Sequence, residues 1–425
     1  MERPLKFCHL STFYPPYSFG GDALYVYHLA NALARRGHDV DVIHCADSFH
    51  VLHPGQPSGR FTAHPNVTVH TLRSGWGSLS PLIAQQTGRA WLKTKPIREV
   101  LSSKRFDVIH YHNISLLGPE VLRLSPNYGN FIKAYTAHEH WLVCPMHVLW
   151  KDNERLCDKP ECFRCALKFR RPPQLWRSTR LLESCLQSVD TFFSPSLFSR
   201  DMHHRRGFTH EFQHLPHFVP PDSAASEQPG DSPHPRPYFL FVGRLEKIKG
   251  LQTLLPVFRK YAHADLVVAG TGEYEPELRR LAAQMENVLF LGSLQQSQLR
   301  RFYRHAIAVI VPSIGYEVFG MVILESYRER TPVIVHRLGA LQELVKKSQG
   351  GLSYEAPEEL LAAMERLRTD SAVRLEMGEL GYQKYLERWS ESAHIEDYMR
   401  LLGQAAERKF GSIPWQQPQY QHCFQ

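Results

Sequence analysis

The sequence predicts an α/β protein built from two doubly wound, Rossmann-like domains that face each other across a cleft. Short continuous apolar runs alternate with amphipathic stretches along almost the whole chain, the pattern of parallel strands covered on both faces. The runs fall into two series. Between them lies VPPDSAASEQPGDSPHPRP, residues 219–237, rich in Pro, Ser and Asp and without periodicity, which reads as a linker or surface loop. A length of 425 residues accommodates two or three domains.

The first series opens with the strand LKFCHL. ALYVYHLANALARRGHDVDVIHC then reads as helix, turn at Gly37 and strand, with Ala23, Val26, Tyr27, Ala30 and Leu33 at helical spacing. NVTVHTL, FDVIHYH, FIKAYTAH and TFFSPS are its further strands. The second series is YFLFVGR, ADLVVAG, NVLFLG, AIAVIVPS and TPVIVH, with helices such as GEYEPELRRLAAQME and APEELLAAMERLRTD between. KYLERWSESAHIEDYMRLLGQAAERKF reads as helices broken near Trp389 and Ser390. GSIPWQQPQYQHCFQ has no periodicity and is expected to be flexible. The expected division is therefore 1–218, linker 219–237, a second domain 238–388, a C-terminal helix 389–410 and a tail 411–425.

Composition is that of a soluble globular protein, 43% hydrophobic and 22% charged. No apolar run reaches the length of a membrane span, and MERPLKFCHLSTFYPP lacks a signal-peptide pattern, so a cytoplasmic protein is expected. A net charge of +8 favours anionic partners. The cations are dispersed and no nucleic-acid module appears, so nucleic acid is not the expected one.

Ligands in doubly wound sheets bind at the carboxyl ends of strands. Several motifs fall there. In YFLFVGRLEKIKG, Arg244 and Lys249 follow a strand and suit a diphosphate, although a solvated basic loop gives the same pattern. Gly270-Thr271-Gly272 follows another strand and lets a ligand approach the backbone, as would any tight turn. In GYEVFGMVILE a helix is expected from about Phe319, and its first turn is an anion site. Glu317 precedes that helix and Glu325 lies within it. Together they suit an extended ligand with two sets of hydroxyls, such as a sugar joined to a ribonucleotide. A helix cap and an unrelated surface residue are the plain alternative. DVD, Asp39 to Asp41, lies inside a strand and reads as structural.

Cys8, Cys45, Cys185 and Cys423 are scattered, with Cys8 and Cys45 in core runs. CPMHVLWKDNERLCDKPECFRC gathers Cys144, Cys157, Cys162 and Cys165. Four thiolates suit tetrahedral Zn²⁺, and an Fe–S cluster uses the same ligands; free thiols or a disulfide pair remain open. LKFRRPPQLWRSTRLLESCL follows, with Lys168, Arg170, Arg171, Arg177 and Arg180 around Phe169, Leu175 and Trp176. It can lie on an anionic membrane, bind an anionic acceptor, or be a solvated helix start.

The chain resembles glycosyltransferase family 4, a retaining family with the GT-B fold. The likeness rests on GRLEKIKG, VVAGTGEYEPEL, VLFLGSL, VPSIGYEVFGMVILE and TPVIVHRLGALQELV in family order, and more loosely on YPPYSFGGDALYVYHLANAL, IHYHN and AYTAHEHW. It implies that Glu317 and Glu325 form the E-x7-E motif, Glu317 on the donor sugar and Glu325 on the ribose. It implies Arg244 and Lys249 on the diphosphate with the amides of Phe319, Gly320 and Met321, and Leu294 at the base. It implies Gly20 and Gly21 at the phosphate or acceptor and His138 as the active-site histidine, with His112 and His140 as candidates for the acceptor. The cysteine insert, 144–165, would order the acceptor wall of an acceptor-binding first domain.

The expected reaction moves a hexose-type sugar from a UDP- or GDP-sugar to a hydroxyl on a glycan, lipid-linked or small-molecule acceptor, without a catalytic metal. Glycan or cell-surface polysaccharide biosynthesis is the expected setting, with peripheral contact at the inner membrane face. A soluble metabolite as acceptor, or a metal-stabilised scaffold or regulatory module without transfer activity, are the rival readings. LPHFVPPD departs from the family's Asn-Gly-Val-Asp turn and leaves the interdomain edge open.

Overall fold

A computed structural model describes residues 3–53, 55–57, 59, 61–221 and 230–416. Its strands are β1 (Lys6–Leu10), β2 (Asp39–Cys45), β3 (Val67–Leu72), β4 (Val108–Tyr111), β5 (Ile132–Thr136), β6 (Trp150–Lys151), β7 (Arg155–Leu156), β8 (Thr191–Ser194) and β9 (Phe212–His214) in the first half. β10 (Tyr238–Val242), β11 (Asp265–Ala269), β12 (Val288–Gly292), β13 (Val309–Val311), β14 (Val333–His336) and β15 (Gly351–Tyr354) make up the second.

Two parallel sheets result. The first has the order β3-β2-β1-β4-β5-β8-β9, the second β12-β11-β10-β13-β14-β15. β1, β4, β5 and β10 bury nearly every residue because helices cover both faces, which is why their sequences are unbroken apolar runs. The strand order reverses between β1 and β4 in one sheet and between β10 and β13 in the other. Such reversals open the crevice where α/β sheets hold ligands.

Three segments differ from the sequence reading. Val219, the first residue of the expected linker, is a core residue of the second half: its N–H donates to Trp389 O at 3.2 Å and its carbonyl accepts from Tyr385 Oη at 3.1 Å. Residues 222–229 lie outside the described ones. The expected flexible tail begins too early, because Trp415 is 4% exposed and Ile413 packs beside it in the first half's core. Residues 417–425, with Cys423, lie outside the described residues. The helix expected from Phe319 runs Met321–Arg328, with Gly320 at its N-cap.

The chain breaks its helix at a π-helical turn, Tyr385–Trp389, and Ser390 caps the next helix, Glu391–Phe410, by accepting from Ala393 N. That helix lies on the first sheet. Ile395, Tyr398, Leu401, Leu402, Ala405 and Ala406 are buried there, and Glu391 pairs with Arg35 at 2.6 Å and Arg36 at 2.8 Å. The halves also join at Glu343, whose carboxylate accepts the first amides of the Leu197–Arg205 helix, Leu197 N at 3.1 Å and Phe198 N at 2.8 Å.

Candidate active site

The second sheet builds its part of the site at the β10/β13 reversal. Lys249 follows β10 and Glu317 follows β13, and the two close the crevice with a 2.7 Å salt bridge. Gly250 makes this approach feasible: its φ is +75°, and a side chain there would sit 2.0 Å from Pro312 O. Ser313 Oγ also donates to Glu317 Oε1, at 2.7 Å. Burial alone would raise the Glu317 pKa, but Lys249, Ser313 and the charge of Arg244 outweigh it and hold the carboxyl below its ordinary value. Arg244 is 53% exposed and rests on Glu246 at 2.7 Å, a weak tether that leaves its guanidinium free to turn to a ligand.

Glu325 lies one turn into the Met321–Arg328 helix and accepts from Tyr303 Oη at 2.6 Å. Burial raises its pKa against that hydrogen bond. Leu294 is half-buried just beyond β12. Gly272 has a different setting from the one its sequence suggests. A side chain there would meet Leu245 O at 2.4 Å, and Leu245 N donates to Thr271 O at 2.9 Å, so the close approach is between two loops of the protein.

The first sheet presents the N-terminus of the Gly21–Arg35 helix, entered through Gly20 at φ +103°. A side chain on Gly21 would touch Met321 Cγ at 3.5 Å. Two helix N-termini therefore meet at the cleft, neither with an N-cap side-chain bond and both with partial positive charge. Phe319 and Gly320 are buried at this meeting point. Half-buried Asp22 accepts from Asn113 Nδ2 at 3.2 Å; desolvation and nearby Glu139 raise its pKa, and the Arg244 charge reaches it across the cleft.

His138 follows β5, and both of its nitrogens are occupied. Nε2 meets His112 Nδ1 at 2.9 Å and Nδ1 meets His217 Nε2 at 3.1 Å. His112 Nε2 in turn meets His9 Nδ1 at 3.0 Å, across the β1/β4 reversal. Burial drives His138 and His9 down to about 3 and His112 and His217 well below their ordinary value, so the rings are neutral. His140 is fully buried against His203 and does not open to an acceptor. Asp39 and Asp41 share Lys104, and Asp41 takes His70 at 2.6 Å; the pair is structural.

Sequence reasoning missed Asp22, Asn113, Ser313, Tyr303 and His217. Asp22 was readable as an acidic residue in a first helical turn. His217 carried no signal beyond lying in LPHFVPPD, where the chain leaves the family pattern.

The four insert cysteines line one hollow of about 20 Å³ around the β6–β7 hairpin and the Cys162–Lys168 helix. Asp152 N donates to Cys165 Sγ at 3.4 Å. The sulfurs gather without closing: among the described residues, the one set of three or more ligand atoms mutually within 4.8 Å is His9, His110 and His112. A tetrahedral Zn–S₄ centre needs sulfurs about 3.8 Å apart, so the fit requires the hairpin and helix to draw in. The His9 group offers no open ligand set, because His112 is bonded to two rings and His110 to Tyr398 and Thr136.

Two doubly wound parallel sheets in successive halves of the chain have the architecture of a GT-B glycosyltransferase. Residues 222–384 match the glycosyl transferases group 1 model and residues 19–223 match the Glycosyltransferase Family 4 model. The D-inositol 3-phosphate glycosyltransferase of Acidothermus cellulolyticus is 30% identical over 407 residues, 84% of this chain and 80% of that one. The chain belongs to glycosyltransferase family 4. Shorter matches join it to the uncharacterized glycosyltransferase MJ1607 of Methanocaldococcus jannaschii, 34% identical over 32% of this chain and 36% of that one. Another is the lipopolysaccharide core biosynthesis glycosyltransferase LpsE of Rhizobium meliloti, 29% identical over 40% and 51%. These two matches thus span about a third and a half of the relatives' lengths. Among solved structures, sucrose-phosphate synthase from Thermosynechococcus elongatus shares the fold with a TM-score of 0.71 at 19% identity, over 94% of this chain and 98% of that one. Anabaena Alr3699/HepE, solved with UDP and glucose, does so at 0.63 and 15%, over 94% and 100%.

Proposed function

We propose that the chain is a retaining glycosyltransferase that takes a hexose-type sugar from a nucleoside diphosphate donor. The Lys249–Glu317 pair, beside two helix N-termini that meet at the cleft, carries this assignment. Lys249, Arg244 and the amides of Gly20, Gly21, Phe319, Gly320 and Met321 surround a space suited to a diphosphate and take up its charge as it leaves, without a catalytic metal. Glu317, kept ionised, turns to the sugar hydroxyls, and Glu325 with Tyr303 receives the ribose beside Leu294. UDP is the first nucleotide to test, because a neighbour of the same fold was solved with UDP and glucose.

The family resemblance favours a same-face route over double displacement on a carboxylate nucleophile. The departing phosphate takes the acceptor proton while the sugar becomes oxocarbenium-like, and His138 stands beside it. Closure of the halves keeps water from that cation. The first half, 1–218, holds the acceptor, a glycan or lipid-linked hydroxyl. Cys144, Cys157, Cys162 and Cys165 would hold Zn²⁺ once the hairpin and helix draw in, and the metal would then order the wall of the insert. Among the described residues no helix is long and apolar enough to cross a membrane. Exposed Phe163, Leu167 and Leu175 beside Arg164, Lys168, Arg170 and Arg171, which enter no salt bridge among the described residues, favour contact with an anionic bilayer. Vesicles with anionic lipid should sediment the protein and neutral vesicles should not; equal behaviour removes this contact.

Product NMR tests the chemistry. An α-linked donor should give an α-linked product, and a β-linked product would overturn the mechanism.

A further inference from the structure

We propose that His9, His112, His138 and His217 form one directional hydrogen-bond chain that presents His217 Nδ1–H to a ligand oxygen in the cleft. The identity of that ligand rests on the nucleotide-sugar reading; the direction of the chain does not.

Every junction joins one imidazole to another: His9 Nδ1 to His112 Nε2, His112 Nδ1 to His138 Nε2, His138 Nδ1 to His217 Nε2. A neutral imidazole has one N–H and one lone pair. Burial keeps all four neutral. Three junctions use three N–H groups and three lone pairs, so one N–H remains at one end and one lone pair at the other. The two end atoms, His9 Nε2 and His217 Nδ1, are the ring atoms of this chain without a protein partner. The four rings must then carry the same tautomer, all Nδ1–H or all Nε2–H.

Nearby histidines are fixed differently. His394 Nδ1 faces Pro216 O at 2.7 Å and must donate, so its Nε2 accepts from Tyr25 Oη at 3.0 Å. The chain contains no carbonyl to set it, and its ends decide. His9 is fully buried in the first sheet. An orphan N–H is rarer in protein interiors than an under-satisfied acceptor. His217 Nδ1 is buried and unpartnered too, but it lies beside the cleft, where a ligand oxygen can satisfy an N–H, whereas His9 Nε2 lies inside the sheet; the lone pair therefore stays at His9 Nε2 and the N–H lies at His217. That ring stands 5.3 Å from Phe319, at the N-terminus of the Met321–Arg328 helix, and 4.4 Å from Tyr25 on the helix that begins at Gly21. A donor sugar held by Glu317 and the Phe319 turn brings oxygen atoms to this place. His138 has no free nitrogen to offer them, so the polar contact passes to His217.

The test is long-range ¹H–¹⁵N NMR of the full chain labelled at histidine, with assignments from single variants. All four rings should show Nδ1–H, the minor form of histidine in water. A mixture of tautomers among the four, or Nε2–H throughout, overturns the proposal whether or not a nucleotide binds. His217→Gln keeps a group at the Nε2 position for His138 but has none at Nδ1. With the nucleotide that stabilises the wild type, it should lower sugar transfer on the order of tenfold, the loss of one hydrogen bond. Binding of the free nucleoside diphosphate should stay unchanged, and His9, His112 and His138 should keep Nδ1–H. Transfer within twofold of wild type overturns the ligand contact. Absence of nucleotide binding in the wild type defeats the functional reading instead, and leaves the tautomer result to decide the chain.

Discussion

Glu317 is a half-buried carboxylate whose cost is met by Lys249 and Ser313. Lys249→Met leaves it without its cation. The variant should lose about 1–3 kcal/mol of stability, between an exposed and a fully buried pair, and about 10²-fold in transfer. Unchanged denaturant midpoints and rates contradict this. Glu317→Gln should cut turnover more than nucleotide affinity, and Glu325→Gln the reverse, which a kcat/KM comparison separates. The neutral histidines set an acid limit. His9 and His138 lie at about 3 when folded against an ordinary 6.5, so the unfolded chain takes protons first as pH falls. Their stabilisation is whole above pH 6.5 and drains between there and 3. Urea titrations at pH 7 and 5.5 should differ by at least about 2–3 kcal/mol for the two rings. Equal stability at both values removes the account of a neutral chain.

At the scale of elements, the strands that position the site were readable because burial on both faces turns them into apolar runs, as in YFLFV and AIAVIV. β9 and β15 were not, since FQH and GLSY hold too few apolar residues to stand out. The β6–β7 hairpin hid among cysteines and charges. Arg244, Lys249, Glu317 and Glu325 were legible as motif positions at strand ends. Their pairing was not, because it depends on β10 and β13 being neighbours although two strands separate them in sequence. His217 was invisible for the same reason: it bonds to His138 beyond β5 and closes a chain that runs back to His112 beyond β4 and His9 in β1. The C-terminal helix joins sequence ends in this way too. Tyr398 Oη reaches His110 Nδ1 at 2.9 Å and Leu402 is fully buried. Leu402→Ala should cost about 2–5 kcal/mol, and truncation before Trp389 should abolish a stable first half. A truncated chain that melts like wild type contradicts the packing.

For the whole molecule, the site exists only where the halves meet. Gly21 faces Met321, His217 faces Phe319, and Ser196 Oγ donates to Val318 O at 2.7 Å. The cysteine insert reaches this seam through a small core that includes Phe198 and Tyr316, but it should respond to different chemistry. Elemental analysis should find about one Zn²⁺ per chain, and iron with sulfide would exchange that centre for a cluster. Four titratable thiols and no metal would remove it. The central claim is that Lys249, Arg244 and two helix N-termini hold a nucleoside diphosphate. Calorimetric titration of UDP, GDP and ADP into wild type and Lys249→Met, with and without EDTA, tests it most directly. One nucleotide should bind the wild type regardless of EDTA and bind the variant about 10- to 100-fold more weakly, the loss of one charge-assisted contact. Binding to neither protein, or equal binding to both, would contradict the account.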